Sequence, residues 1–415
     1  MALGRQQAHQ TEMLVTWAET PRSPGHVFYD KLQAVLIGAD FDAFVEGKCA
    51  PFYAARRGRP SLPPGRHLRM LLDHSWLSRT RSRLPLEVHD QVFTWVLERL
   101  AEHGLIRGKR IGVDASTMEA NAALRTIVRR EDGESYREML ERLAVASGIE
   151  TPTAEDLARL DRRRKGKALS NVEWESPTDP DARIAKLKDG RTHLAHKPEH
   201  AVDLDTGAVV AAAMHEADQG DTATLPHTLA NAAEHLAAVA AAPTPEAPAE
   251  MIADKGYHSR AGLKDLADGP WKSRIAEPRR DGFLRWHGDL AARRAVYNNR
   301  TRLLSEAARQ AFKLRAELVE RSFALILDRG GLRRTWLRGR ENVHKRYLVH
   351  VAGYNLGLIM RLLTGAGTPR EFLARVSLWL GALPAPDGAL IVILLVATSN
   401  QIAAIVVSFR ADPLA

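Results

Sequence analysis

The sequence predicts an α/β protein, a mixed sheet flanked by helices, with an all-helical region ahead of it. Three observations carry this. Two short apolar strands end in carboxylates, Arg110-Ile-Gly-Val-Asp114 and Met251-Ile-Ala-Asp254. A strand pair from His200 to Met214 turns at Asp205-Thr-Gly207. Helical periodicity fills the stretches between and after them.

The chain has 415 residues, enough for two or three domains with a real core. An apolar fraction of 45% and a charged fraction of 26% suit a globular protein, and a formal charge of +9 favours an anionic partner. Cys49 is the only cysteine, which excludes an intrachain disulfide and a Cys-rich zinc site and fits a reducing cytoplasm. The first nine residues hold no apolar run, so no secretory leader is expected. No GxxxxGK[ST] loop occurs, so no nucleotide cofactor is expected.

Taken in order, residues 1–109 read as helices separated by Pro and Gly. Asp40 to Glu46 is a short amphipathic piece, and a helix starts near Pro64. Eight arginines (Arg56, Arg57, Arg59, Arg66, Arg69, Arg79, Arg81, Arg83) stand against one acid, Asp73, with His74 and Trp76 among them. Most charge runs are solvated faces, but this imbalance points to a phosphate-backbone surface. Leu86 to Leu105 is a helix with Gly104 as its C-cap.

After the strand at 110–114, residues of about 123–190 form a polar insertion with a helix near 134–146 and a basic run, Arg159 to Lys167. Its low apolar content predicts an excursion from the core, part of it mobile. His193, His196 and His200 follow. Pro198 breaks any helical pairing of them, so strand and loop histidines are expected rather than zinc ligands. Asp221-Thr-Ala-Thr caps a helix running to about Ala240. Beyond a Pro/Ala linker come the strand at 250–254, a helix at 260–267 and a strand near Ser273 to Ala276.

A second basic stretch holds Arg279, Arg280, Arg285, Arg293, Arg294, Arg300 and Arg302, interleaved with Trp286 and Tyr297. Helices are expected at Ser305 to Leu327 and Tyr347 to Leu363, with Arg333 and Arg334 between them. Gly388 to Phe409 is uncharged but broken by Thr398-Ser-Asn-Gln401. Its two runs fall short of the ~20 residues of a membrane span, and a buried or sticky tail is expected. These shifts divide the chain into 1–109, 110–365 and 366–415.

The chemistry rests on Asp114, Asp254 and Glu320. A carboxylate that ends a strand is often only a cap, but two such ends with a helical Glu downstream suggest more. Three converging carboxylates repel one another unless cations lie between them. Mg²⁺ or Mn²⁺, as a pair ~3.5–4 Å apart, would suit phosphoryl transfer on nucleic acid. Glu317 and Glu320 share a helical face, so either can be the third ligand. The stripe Val319, Phe323, Ile326 places Glu320 at the border of the core and favours it.

Several pieces together resemble one family: Arg57-Gly-Arg-Pro60, Asp73-His-Ser-Trp76, Gly112-Val-Asp114-Ala-Ser-Thr117, His200-Ala-Val-Asp-Leu-Asp-Thr-Gly207, Asp254-Lys-Gly-Tyr257, Val319-Glu320-Arg-Ser-Phe323 and Tyr354-Asn-Leu356. In order and spacing they are similar to bacterial insertion-sequence transposases of the DDE type, over about residues 56–370. The resemblance implies an RNase H-like catalytic domain with Asp114, Asp254 and Glu320 as its metal-binding triad. It also implies two Mg²⁺ (or Mn²⁺) ions and a cytoplasmic, nucleoid-associated protein. The partner would be double-stranded DNA at terminal inverted repeats, bound as a homodimer through Arg56, Arg57, Arg59, Arg79, Arg81, Arg83, Arg279, Arg280, Arg333 and Arg334.

Two features depart from the pattern. Leu72 runs directly into Asp73-His-Ser, where relatives carry several dozen helical residues, and the apolar tail has no counterpart. Alternative readings are a non-catalytic DNA-binding remnant and a nuclease that cuts without joining.

Overall fold

A computed structural model describes residues 27–53, 63–69, 84–165, 169–187, 190–279, 286–368, 371, 389–398 and 401–410. The chain divides into two compact units, Asp73–Asn355 and a second formed by Met1–Leu72 with Leu356–Ala415.

In the second unit, α1 (Val27–Gly38), α2 (Phe41–Cys49) and α3 (Pro64–Arg69) are short helices. Phe41, Val45 and Cys49 bury one face of α2. Burial of the Cys49 thiol, with Glu46 nearby, pushes its pKa up to about 12 and makes it an inert apolar filler. Of the eight arginines between 56 and 83, Arg56, Arg57, Arg59, Arg79, Arg81 and Arg83 lie outside the described residues.

The larger unit opens with α4 (Leu86–Glu102), whose stripe of Val88, Val92, Trp95, Val96 and Leu100 is buried. It ends at Glu102, three residues before the expected Leu105, with His103 as C-cap and Gly104 left-handed at φ 68 just after it. Next come β1 (Arg110–Ala115) and the short β2 (Met118–Glu119).

The insertion follows, with β3 (Val128–Arg129), α5 (Tyr136–Ala146), α6 (Ala154–Arg163), β4 (Trp174–Glu175) and β5 (Arg183–Lys186). The described residues of this polar stretch build a core of their own. Ile127, Met139, Leu140, Leu157 and Trp174 are buried together, and Tyr136 meets Trp174 edge-on at 5.6 Å. Few apolar residues suffice because they fall at helix contact positions and two are large aromatics. Ser135 with Glu138, and Thr153 with Asp156, form capping boxes that start the two helices.

The chain then makes β6 (Thr192–Asp203), β7 (Val209–Glu216), α7 (Asp221–Ala238), β8 (Ala249–Ala253), α8 (Arg260–Asp265) and β9 (Trp271–Ile275). The helices α9 (Leu290–Leu303), α10 (Glu306–Phe323) and α11 (Arg340–Thr364) complete it, and α11 belongs to this unit as far as Asn355. A π-helical turn, Ala324–Arg329, ends α10 four residues before the predicted helix end at Leu327.

Side by side, the main strands run β7, β6, β1, β8, β9. The β7–β6 and β6–β1 pairs are antiparallel; β1–β8 and β8–β9 are parallel. This is the mixed order of an RNase H-like sheet. The strand β6 starts at Thr192, eight residues before the sequence suggested, and is buried from Leu194 to Asp203. Helices cover both its faces. His200 meets Ser322 of α10 and Tyr347 of α11, while Glu199 meets Thr224 and Thr228 of α7. The expected cap at Asp221 is also corrected: Gly220 is the N-cap, without a side-chain bond, and Asp221 is the first helical residue.

The tail forms an antiparallel hairpin, β10 (Ala389–Thr398) and β11 (Gln401–Arg410). Among the described residues no helix is long and apolar enough to cross a membrane.

Candidate functional site at the ends of two parallel strands

The parallel pairing of β1 and β8 brings Asp114 and Asp254 to the same edge of the sheet. Their last registered pair is Gly112 with Ile252, and each Asp lies two residues beyond it. Asp114 is the second-last residue of β1, and its Oδ1 accepts from the Ala115 N–H at 2.9 Å. Asp254 follows β8 and caps the 3₁₀ turn Lys255–Tyr257, with Oδ1 accepting from the Gly256 N–H at 2.8 Å. A short rigid side chain suits both places, since the same carboxylate can cap its own turn and still face solvent.

A third acid stands close. A Cβ at Gly256 would collide with Asp221 Oδ2 and lie 3.0 Å from Asp254 Oδ1, so both carboxylates reach the same point. Lys197 of β6 balances this charge, with Nζ 2.7 Å from Asp221 Oδ1.

The α10 side chain that meets Asp114 is Arg315. Its Nη2 lies 3.1 Å from Asp114 Oδ1, and its Nε donates to the Val113 carbonyl at 3.0 Å. Sequence reasoning missed this residue, although a signal existed. Ala308, Ala311, Arg315, Val319 and Ser322 repeat at helical spacing and are all buried, so the arginine sits within the stripe that faces the sheet. Glu320, expected at the border of the core, is exposed instead. Its neighbour Glu317 pairs with Arg321 on the outside of the helix. The reason is angular: Glu320 is five residues past Arg315, about 140° around the helix at 3.6 residues per turn.

Mg²⁺ is commonly held by one or two carboxylates, with water and substrate phosphates filling the remaining places. Asp114 and Asp254 fit that donor set by position and chemistry. Among the described residues no group of three or more His, Cys, Asp or Glu side chains is close enough to hold a metal. Glu320 is therefore not gathered with the two aspartates.

Two clefts flank the strand ends. One of about 720 Å³ is lined by Asp254, Lys255, Gly256, Glu277, Pro278 and Arg279. The other, of about 320 Å³, holds Ser116, Thr117, Lys186, Lys197 and Asp221. Arg279 is exposed in the first, and Arg280 lies outside the described residues. Arg333 donates to Ser116 Oγ at 3.1 Å, two residues past Asp114, and pairs with Asp328. Arg334 pairs with Glu119 at 3.7 Å.

Two histidines of β6, His196 and His200, are buried among protein partners. His196 is buried 3.2 Å from Asp179 Oδ2. His200 lies between the Ser322 hydroxyl at 2.8 Å and the Tyr347 hydroxyl at 2.6 Å, and burial pushes its pKa down to about 3.

A five-stranded mixed order flanked by helices, with acidic residues at the ends of its first and fourth strands, defines the class as RNase H-like. Residues 170–356 match the family model described as Transposase DDE domain. That stretch, a little under half of the chain, is similar to the DDE domain of transposases. The matched stretch contains Asp254 and Glu320 and begins after Asp114. No curated protein and no solved structure matches the chain.

Proposed function

We propose that this chain is a transposase that cuts DNA at the terminal inverted repeats of an insertion sequence and joins the ends to a target. The observation that carries the reading is that Asp114 and Asp254 each lie two residues past the last registered pair of two neighbouring parallel strands, in a chain whose residues 170–356 match a transposase DDE domain. In this reading Asp114 and Asp254 hold divalent ions, Mg²⁺ or Mn²⁺, which would supply Lewis acidity and a water or 3′-hydroxyl nucleophile at neutral pH. Glu320 completes the set as a third carboxylate once DNA is bound. Arg315 keeps Asp114 oriented and offsets its charge before an ion arrives.

Arg279, beside Asp254, and Arg333 and Arg334, beside the β1 end, contact the phosphate backbone. Arg56, Arg57, Arg59, Arg79, Arg81, Arg83 and Arg280 extend that surface. Two copies act together on paired ends, in the cytoplasm and on the nucleoid, without a nucleotide cofactor.

The test is purified protein on labelled inverted-repeat DNA with Mg²⁺. Cleavage with joining supports the reading. Cleavage alone would replace it with a nuclease, and salt-sensitive binding without turnover with a DNA-binding remnant.

A further inference from the structure

The β1–β8 ladder stops at Gly112 and Ile252, so the sheet sets which strand ends are neighbours but not the spacing of Asp114 and Asp254. Contacts beyond the ladder must set it, and they converge on Glu199. In the β1–β6 register Asp114 faces His200 and Ala115 faces Glu199, so Glu199 adjoins the β1 end. Its Oε1 accepts from the Tyr257 hydroxyl at 2.6 Å. Tyr257 is 1% exposed and closes the Asp254-Lys-Gly-Tyr turn. The same carboxylate accepts from Thr224 at 3.0 Å and from Thr228, both on α7, the helix that begins with Asp221.

We propose that Glu199 and Tyr257 are positioning residues: their hydrogen bond locks the Asp254 turn to the β1 end and so sets the carboxylate spacing a divalent ion meets. This rests on the metal reading above and names residues outside its ligand set. A fully buried carboxylate is costly unless its lone pairs are satisfied. Here burial favours the neutral form, but bonds from His215, Thr228 and Tyr257 prevail and hold the pKa below the ordinary range. The hub stays an anion, which strengthens its grip on the tyrosine. The turn needs glycine at Gly256, because a side chain there would run into Asp221. The sequence signal was a tyrosine three residues past a strand-end Asp; Glu199 lay ahead of the predicted strand and gave none.

The experiment titrates the full-length chain with Mn²⁺ and follows free Mn²⁺ by electron paramagnetic resonance, alongside thermal unfolding. Tyr257→Phe removes one hydroxyl and keeps the ring. It is expected to weaken Mn²⁺ binding about tenfold, the scale on which groups behind metal ligands act, with Tm changed by only a few degrees. Thr228→Val removes a donor to the same carboxylate away from the turn and should leave Mn²⁺ binding close to wild type. If Asp254→Asn loses Mn²⁺ while Tyr257→Phe binds like wild type, or if Thr228→Val loses as much as Tyr257→Phe, the positioning role is overturned. If wild type binds no Mn²⁺, or Asp254→Asn binds it unchanged, the metal reading itself fails.

Discussion

The two aspartates and the glutamate reach their places by different means. Asp114 and Asp254 are far apart in the chain, yet parallel pairing of β1 with β8 makes them neighbours. Glu320 rides on a helix that packs against the same sheet, and the helix presents Arg315 to Asp114 while Glu320 faces outward. A strand has a side-chain period of two and hydrogen-bonded neighbours, so it delivers its end residue to a predictable edge. A helix adds a rotation and a sliding offset, and a change of one residue turns the presented side chain by about 100°. Sheet-borne groups are thus preset, whereas the helix-borne group depends on how α10 is seated.

The largest expected effects test that contrast directly. Asp114→Asn and Asp254→Asn should each lower Mg²⁺-dependent cleavage more than about a hundredfold and also weaken Mn²⁺ binding without DNA. Near-normal turnover in either would remove that residue from the site. Glu320→Gln should lower cleavage as far but leave DNA-free Mn²⁺ binding unchanged. Weakened binding without DNA would show that the helix is already in place.

Next in size is the seat of α10. A Cβ at Gly112 would stand 2.7 Å from Leu204 Cδ2 and 3.1 Å from Val319 Cγ2. Gly112→Ala should therefore cost about 1–3 kcal/mol, measured by denaturant unfolding, as the helix is pushed from the sheet. No loss would mean that α10 yields without strain.

The docking should also respond to acid. His200 bonds Ser322 of α10, and its folded pKa of about 3 lies below the ordinary 6.5. Because the unfolded chain binds this proton first, stability is complete above pH 6.5 and falls as pH drops towards 3. Thermal unfolding should thus occur at lower temperature at pH 5 than at pH 7. A Tm that holds or rises over that interval would contradict a neutral His200 at the helix seat. The smallest effect is at the cleft beside Asp254. Arg279→Ala should weaken DNA binding modestly and reduce the slope of log K against log salt by about 0.9, the share of one phosphate contact. An unchanged slope would take Arg279 off the DNA path.

Much of the architecture could be read from residues alone. Apolar runs ending at Asp114 and Asp254 marked two strands, Asp205-Thr-Gly207 marked the hairpin, and the Leu86 to Leu105 periodicity marked a helix, because each signal is local. The insertion's own core was not legible because it is built from few residues scattered between Ala120 and Leu194. The start of β6 was missed because its polar residues, His196, Lys197 and Glu199, look like those of a loop. Each is acceptable in a buried strand only through a partner distant in sequence, such as Asp179, Asp221 or Tyr257.

Local chemistry, then, determined the elements and the acidic strand ends, since propensity, periodicity and turn residues act over a few positions. Only the tertiary structure decided that Arg315 rather than Glu320 meets Asp114, and that Glu199 gathers the turn of Tyr257. Those choices depend on helix rotation and on polar partners dozens of residues away, which no short stretch of sequence encodes.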